Sequence, residues 1–179
     1  HILNESGRSS VAVGNIGLAP IAAVDDRAPG SWFAAELSSY QLATTSMLHP
    51  RIAVLMNITP DHLAWHGTLD AYSAAKRKIF ANQEPGDLAV VCVEDAGARA
   101  ALSAARSTGA AVCELSHDDS GAASAAFCDE GVLVVRLNGV EHRLVPTAEL
   151  LIRGAHNELN ALAAAAAALW VGASDEDVR

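Results

Sequence analysis

The chain has 179 residues, 51% of them hydrophobic and 18% charged, which suits one globular domain with a sizeable core and excludes intrinsic disorder. Its formal net charge is −9 and its longest basic run is Lys76-Arg77-Lys78, so nucleic acid is not an expected partner. The longest apolar stretch, Ala161 to Val171, is too short and too alanine-rich to cross a bilayer.

No signal peptide is evident. Cys92, Cys113 and Cys128 lie far apart with no CxxC pair, so they read as core cysteines in a reduced, cytoplasmic setting. The chain opens on His1 and not on Met, and is expected to be a piece of a longer polypeptide.

Short apolar runs alternate with helical patterns, the signature of βαβ units and a mostly parallel sheet flanked by helices. Val11–Val13 reads as a strand, followed by the turn Gly14-Asn15-Ile16-Gly17 and a helix starting near Pro20. Trp32–Leu37 is a second strand, and Ser38 or Ser39 can cap the helix after it. Arg51–Ile58 is a near-continuous apolar strand, as expected when both faces are covered. A helix begins at Leu69. Strands at Leu88–Val93 and Ala111–Leu115 bracket an alanine-rich helix from about Ala96 to Ser107.

The pattern then changes. Ala123–Cys128, Val132–Leu137 and Val140–Val145 are joined by Asp129-Glu130-Gly131 and Asn138-Gly139. Asn-Gly between alternating runs is a strong hairpin signal, so an antiparallel meander is expected at one sheet edge. A loop through Arg153-Gly154-Ala155 leads to a final helix from His156 to about Trp170. Residues 1–173 are read as one domain, and 174–179, with Asp175-Glu176-Asp177, as the start of a linker to a further element.

In an open α/β sheet, ligands bind at the carboxyl ends of the strands, and polar groups gather at those ends here. Asn15 follows the first strand, Glu36 with Ser38, Ser39 and Gln41 the second, and Asn57 through His62 the third. Glu36 ends a wholly apolar strand, where a carboxylate either caps the next helix or binds a cation. Lys76 is oddly placed. At about 100° per residue it falls in the middle of the apolar stripe of Leu69, Tyr72, Ile79 and Phe80. A buried ammonium is costly and tends to lose its proton. The neutral amine is a nucleophile that can add CO2 to give a carbamate, a carboxylate on a long arm. Snorkelling of the head group into water is the competing reading. Asn157 and Asn160, at i, i+3 in the first turn of the last helix, could read an adenine edge, or Asn157 could cap that helix.

Together these residues resemble the Mur ligases, the ATP-dependent amino-acid ligases of peptidoglycan precursor synthesis. Glu36-Leu37-Ser38-Ser39-Tyr40-Gln41-Leu42 is similar to the E-L-S-S-F/Y-Q-L pattern of the branch that adds D-glutamate. Asp61-His62-Leu63, His66-Gly67, Tyr72 and Ala74-Ala75-Lys76 form the most family-specific segment. Gly14-Asn15-Ile16-Gly17 and Gly154-x-His156-Asn157-x-x-Asn160-Ala161 complete the set in order.

The resemblance implies an ATP-binding central domain of P-loop-like fold. It implies UDP-N-acetylmuramoyl-L-alanine, D-glutamate and ATP as substrates, an acyl-phosphate intermediate, and a monomer. Lys76 would be a carbamylated lysine, with Glu36, His62 and that carbamate holding Mg2+, and Lys76 and His62 serving catalysis. Asn15, Ser38, Gln41 and His62 would lie near the sugar nucleotide, and Asn157 and Asn160 near adenine. The family's first strand and phosphate loop, G-x-x-G-K-S/T, are not in these residues; they are expected upstream, with His1 to Asn4 the tail of the helix that follows the loop. Position 64 is Ala, where relatives often carry Asp. The alternatives are another Mur-type or folylpolyglutamate-type ligase, or a non-catalytic nucleotide-binding module. A carbamate-bridged metallohydrolase would need more clustered histidines than His62 and His66 supply.

Overall fold

The computed structural model describes residues 1–25 and 27–179. Its strands are β1 (Ser10–Gly14), β2 (Trp32–Glu36), β3 (Ile52–Leu55), β4 (Leu88–Cys92), β5 (Ala111–Leu115), β6 (Ala125–Asp129), β7 (Val132–Leu137) and β8 (Val140–Pro146). β3 to β8 form one sheet in sequence order, parallel as far as β6 and antiparallel from β6 to β8. The expected α/β class, with an antiparallel meander at one edge, is what the chain adopts. The turns of that meander are built as the dipeptides require: Asn138 and Gly139 have φ of 50° and 82°, and Glu130 and Gly131 have 48° and 76°, matching the twist of the flanking strands.

β1 and β2 form their own parallel pair and are not hydrogen-bonded to β3. The connection from β2 to β3 passes through α3 (Ser39–Thr44) and a loop containing Pro50. Phe33 on β2 is 38% exposed.

Helices cover both faces of the large sheet. On one face α8 (Ala155–Trp170) buries Leu162, Ala165, Ala166 and Leu169 against Leu88, Val90, Cys113, Leu115 and Val135. Each large side chain withdrawn from water in this way stabilises the fold by roughly 1.5–3 kcal/mol, and the alanines let the helix approach the sheet closely. On the other face Ala53, Leu55, Ala89 and Val91 pack against Tyr72, Phe80, Ala98, Ala101 and Ala105. These come from α5 (Leu69–Arg77), the 3-10 turn Lys78–Phe80, α6 (Ala96–Arg99) and α7 (Leu102–Ser107).

Alanine propensity alone predicts one helix from Ala96 to Ser107. Two short helices form instead, because the amide of Ala101 bonds back to the Ala98 carbonyl in a tighter 3-10-type turn, which brings Ala98, Ala101 and Ala105 all to full burial. Strand β3 likewise stops at Leu55, short of the predicted Ile58. The Ile58 amide donates to the Asp95 carboxylate at 3.0 Å, so it is lost to the ladder.

The three cysteines are free thiols, and burial pushes the Cys113 thiol up to about 12. At the amino end of β3 a buried carboxylate organises the turn before β4. Asp87 Oδ2 lies 2.5 Å from His49 Nε2 and accepts from the Glu84 amide at 2.9 Å, while Oδ1 faces Arg51 Nε at 3.2 Å. Burial pulls the Asp87 carboxyl upward, but these partners outweigh it and hold it below the usual carboxylate value. Residues 174–179, read as the start of a linker, form α9 (Asp175–Val178). This turn is tied down by His142 to Asp175 at 2.6 Å and by Arg179 Nε to the Leu144 carbonyl at 3.0 Å. Among the described residues, no helix is long and apolar enough to cross a membrane.

Candidate active site at the strand ends

The carboxyl ends of β1 and β2 are locked in register, with Gly14 opposite Glu36. The Gly14 amide bonds to the Leu18 carbonyl at 2.8 Å and the Asn15 amide to the Glu36 carbonyl at 2.9 Å. This turn leaves the Asn15 and Glu36 side chains exposed at the rim. Glu36 does not cap the next helix. That role falls to Ser38, in a capping box in which Ser38 Oγ accepts from the Gln41 amide and Gln41 Oε1 accepts from the Ser38 amide at 2.8 Å. Both side chains proposed as substrate contacts therefore have structural work at the start of α3. The box uses Gln41 Oε1 and leaves its Nε2 without a protein partner among the described residues.

The loop after β3 brings a second set of groups to the same place. His62 adopts φ 53° immediately before α4 (Leu63–His66), a left-handed conformation that costs a non-glycine residue on the order of 1–3 kcal/mol and clusters at functional sites. Its amide donates to Asp61 Oδ1 at 2.7 Å, and its ring lies 4.9 Å from that of Tyr40 on α3. His66 Nε2 lies 2.9 Å from the hydroxyl of buried Ser39. The rings of Tyr40, Trp65, His66 and Tyr72 continue the contact from α3 through α4 to α5.

Lys76 completes this group. Its expected stripe is partly realised: Tyr72 and Phe80 are buried, Leu69 is 41% exposed, and Phe80 lies in the 3-10 turn. The lysine is half-buried, its Nζ 5.5 Å from the centre of the Tyr72 ring and donating to the Asn57 carbonyl at 3.0 Å. The head group is thus turned toward the β3 strand end. Asp95 reinforces that loop, because the same Oδ1 accepts from Ile58 and from the Ala98 amide that starts α6. A Cβ on Gly97 would meet the Ile58 carbonyl at 2.4 Å, so glycine is what lets α6 approach it.

Asn157 and Asn160 occupy the first turns of α8, whose N-cap is Gly154 with φ 103° and not Asn157. Asn157 Nδ2 donates to the Arg153 carbonyl at 2.9 Å, and Asn160 Nδ2 donates to Asn157 Oδ1 at 3.3 Å. No hydrogen bond, ion pair or aromatic contact among the described residues joins these two asparagines to the first group.

The structure adds residues that the sequence analysis passed over. His117, just beyond β5, places Nδ1 2.9 Å from Glu94 Oε1 and Nε2 3.1 Å from the Ala155 carbonyl. The strand-end reasoning that selected Asn15, Glu36 and His62 applies equally to Glu94, two residues past β4, and to His117. What the sequence could not show is that α8 returns to meet them.

These features define a layered α/β domain with its polar groups collected at the carboxyl ends of parallel strands, where open α/β sheets bind their ligands. A family model described as the Mur ligase middle domain matches residues 9–168. The chain belongs to the Mur ligase family. It is 39% identical over 171 residues to the UDP-N-acetylmuramoylalanine–D-glutamate ligase of Pelotomaculum thermopropionicum, covering 96% of this chain and 37% of that protein. It is 40% identical over 168 residues to the ligase of the same name from Acidobacterium capsulatum, covering 93% and 36%. The chain thus spans little more than a third of the length of these relatives. The crystal structure of MurF ligase from Thermotoga maritima in complex with ADP superposes with a TM-score of 0.63 at 16% identity, over 99% of this chain and 43% of that one, a likeness of fold.

Proposed function

We propose that this chain is the ATP-binding central domain of a ligase that joins D-glutamate to UDP-N-acetylmuramoyl-L-alanine in the cytoplasm, acting as a monomer. The observation that carries this reading is the 39–40% identity, over nearly the whole chain, to ligases bearing that name. In this reading residues 1–173 are the central domain, and 174–179 lead toward a further one.

The reaction would run in two steps. A substrate carboxylate oxygen attacks the γ-phosphorus of ATP, ADP leaves, and an acyl phosphate forms. The amine of D-glutamate then attacks the acyl carbon, losing a proton as the amide bond forms and inorganic phosphate departs. Asn15, Ser38, Gln41 and His62 would face the sugar nucleotide, and Asn157 and Asn160 the adenine. Backbone and side chains that hold the reactants in line supply most of the catalysis in phosphoryl transfer.

The donor set suits a hard divalent cation. Mg2+ favours oxygen ligands and keeps several waters, usually taking one or two carboxylates along with substrate phosphates. Glu36 offers an exposed carboxylate at the end of β2, and His62 adds a nitrogen. Among the described residues, no three His, Cys, Asp or Glu side chains gather as a metal site, and in this reading Lys76 is the further protein ligand. Lys76, as an ammonium donating to Asn57, has no lone pair to give; as a carbamate it would supply oxygens. Mg2+, when bound, offsets the phosphate charge during transfer.

The test is phosphate release by the protein at its natural length. It should require ATP, Mg2+, UDP-N-acetylmuramoyl-L-alanine and D-glutamate together. Turnover with another amino acid in place of D-glutamate would refute the assignment.

A further inference from the structure

His117 holds together three elements distant in sequence. Its backbone amide and its Nδ1 both meet the Glu94 carboxylate, which follows β4, with Nδ1 2.9 Å from Oε1 and 3.0 Å from Oε2. Its Nε2 meets the Ala155 carbonyl at 3.1 Å and lies 3.7 Å from Glu158 Oε2, both in the first turn of α8. Its own carbonyl accepts from the Cys128 amide on β6 at 2.9 Å.

The two ring nitrogens therefore face a carboxylate and a carbonyl. Both are acceptors, so both nitrogens must donate. A neutral imidazole has one N–H and can satisfy one side at a time, whereas the imidazolium satisfies both. The groups that face the ring are Glu94 from the loop after β4 and Glu158 from α8, whose carboxylate also lies 3.9 Å from the Cys128 thiol on β6, with Asp118 next to His117 in the chain. The Cys128 thiol, raised to about 11 by burial and then by Glu158 and Glu94, stays neutral at physiological pH, so the charge around the ring is negative.

We propose that His117, in its doubly protonated form, is the positioning residue for the nucleotide end of the site. It ties the ends of β4 and β5 to the helix turn that presents Asn157 and Asn160. The proposal rests on the reading of those asparagines as adenine contacts. Ala155 lies two residues before Asn157, and Asn157 in turn bonds to the Arg153 carbonyl and accepts from Asn160. Releasing Ala155 would loosen the start of that chain of contacts. Burial pulls the His117 pKa down, but the Glu94 hydrogen bond, the Ala155 carbonyl and the charges of Glu94 and Glu158 together raise it above the ordinary histidine value. A raised histidine exerts its full effect below its unfolded value and loses it as pH climbs through the folded one. The bracket should accordingly be closed below the folded value and open as pH climbs above it.

The experiment measures MgADP affinity by calorimetry for wild type, His117→Gln and Asn160→Ala, in the protein at its natural length, between about pH 6 and pH 9. Gln can donate to one side but carries no charge. At the low end His117→Gln should bind roughly fivefold to tenfold more weakly than wild type, the effect of one charge-assisted hydrogen bond. That ratio, in which titration of the nucleotide's own phosphates cancels, should fall toward one as pH rises. A ratio that stays at one throughout, or is constant with pH, overturns the proposal. Asn160→Ala separates the two ideas. If it binds MgADP as wild type does, the adenine reading fails and this proposal with it. If it binds weakly while His117→Gln is unaffected, the positioning role alone is lost. Thermal unfolding of each variant confirms that the comparison is made between folded proteins.

Discussion

Gly14 and Glu36 stand opposite each other in the parallel register of β1 and β2, so close that a Cβ on residue 14 would lie 2.1 Å from the Glu36 carbonyl oxygen. That oxygen already accepts from the Asn15 amide, so it cannot yield without releasing the turn. Gly14 also has φ 102°, which a residue with a side chain rarely adopts. Gly17, three residues on, has φ 119° with nothing within 4 Å of its would-be Cβ. Gly14→Ala should therefore destabilise the fold more than Gly17→Ala, whose cost is backbone strain alone, of order 1–3 kcal/mol. Urea denaturation of the two variants provides the comparison, and equal midpoints would show that β1 and β2 relax around the clash. If Glu36 holds Mg2+ and moves in Gly14→Ala, the Mg2+ requirement of the full-length protein should also rise.

Lys76 can be tested by separating its charge from its capacity to react. Lys76→Arg keeps a cation able to donate to the Asn57 carbonyl but cannot add CO2. Lys76→Ala removes both. If the carbamate role is right, both variants lose ligase turnover by at least about 100-fold, and short carboxylates such as formate or acetate restore part of it in Lys76→Ala. Full activity in Lys76→Arg would leave the lysine as a tether and no more.

The sign of the acid response follows from Asp87. A carboxylate held below its usual value in the folded state contributes stability that is present above its unfolded pKa, near ~4, and is lost as pH falls through the lower folded value. Asp87→Asn keeps the side-chain shape, removes the charge facing His49 and Arg51, and can no longer accept on both sides. It should cost about 1–3 kcal/mol at neutral pH. Its stability should also fall less steeply than that of wild type between about pH 5 and pH 2. Denaturant titrations across that range check this, and parallel acid limbs would show that other carboxylates govern the response.

At the start of α8, Asn157 Oδ1 is occupied by Asn160 Nδ2, which leaves Asn160 Oδ1 as the acceptor available to a ligand, adenine in the proposed reading. Asn160→Asp preserves that acceptor but replaces the amide donor with a second acceptor facing Asn157 Oδ1. The apparent KM for ATP should rise about tenfold or more, with the KM for D-glutamate unchanged. A rise confined to D-glutamate would place this pair elsewhere in the reaction.

Much of this molecule was legible in the residues themselves. Period-2 and period-3.6 patterns marked the strands and most helices, Asn138-Gly139 marked its hairpin, and the ordered sequence from Gly14 through Glu36, His62 and Lys76 to Asn160 carried the family. These are local properties, encoded by backbone preferences over a few residues. The tertiary structure alone decided that the alanine-rich helix breaks at Ala100-Ala101 and that Lys76 turns toward Asn57. It also decided that His117 joins Glu94 to the start of α8, a meeting of residues 23 and 38 positions apart. Such contacts depend on how finished elements pack against one another, and no short-range pattern in the chain records them.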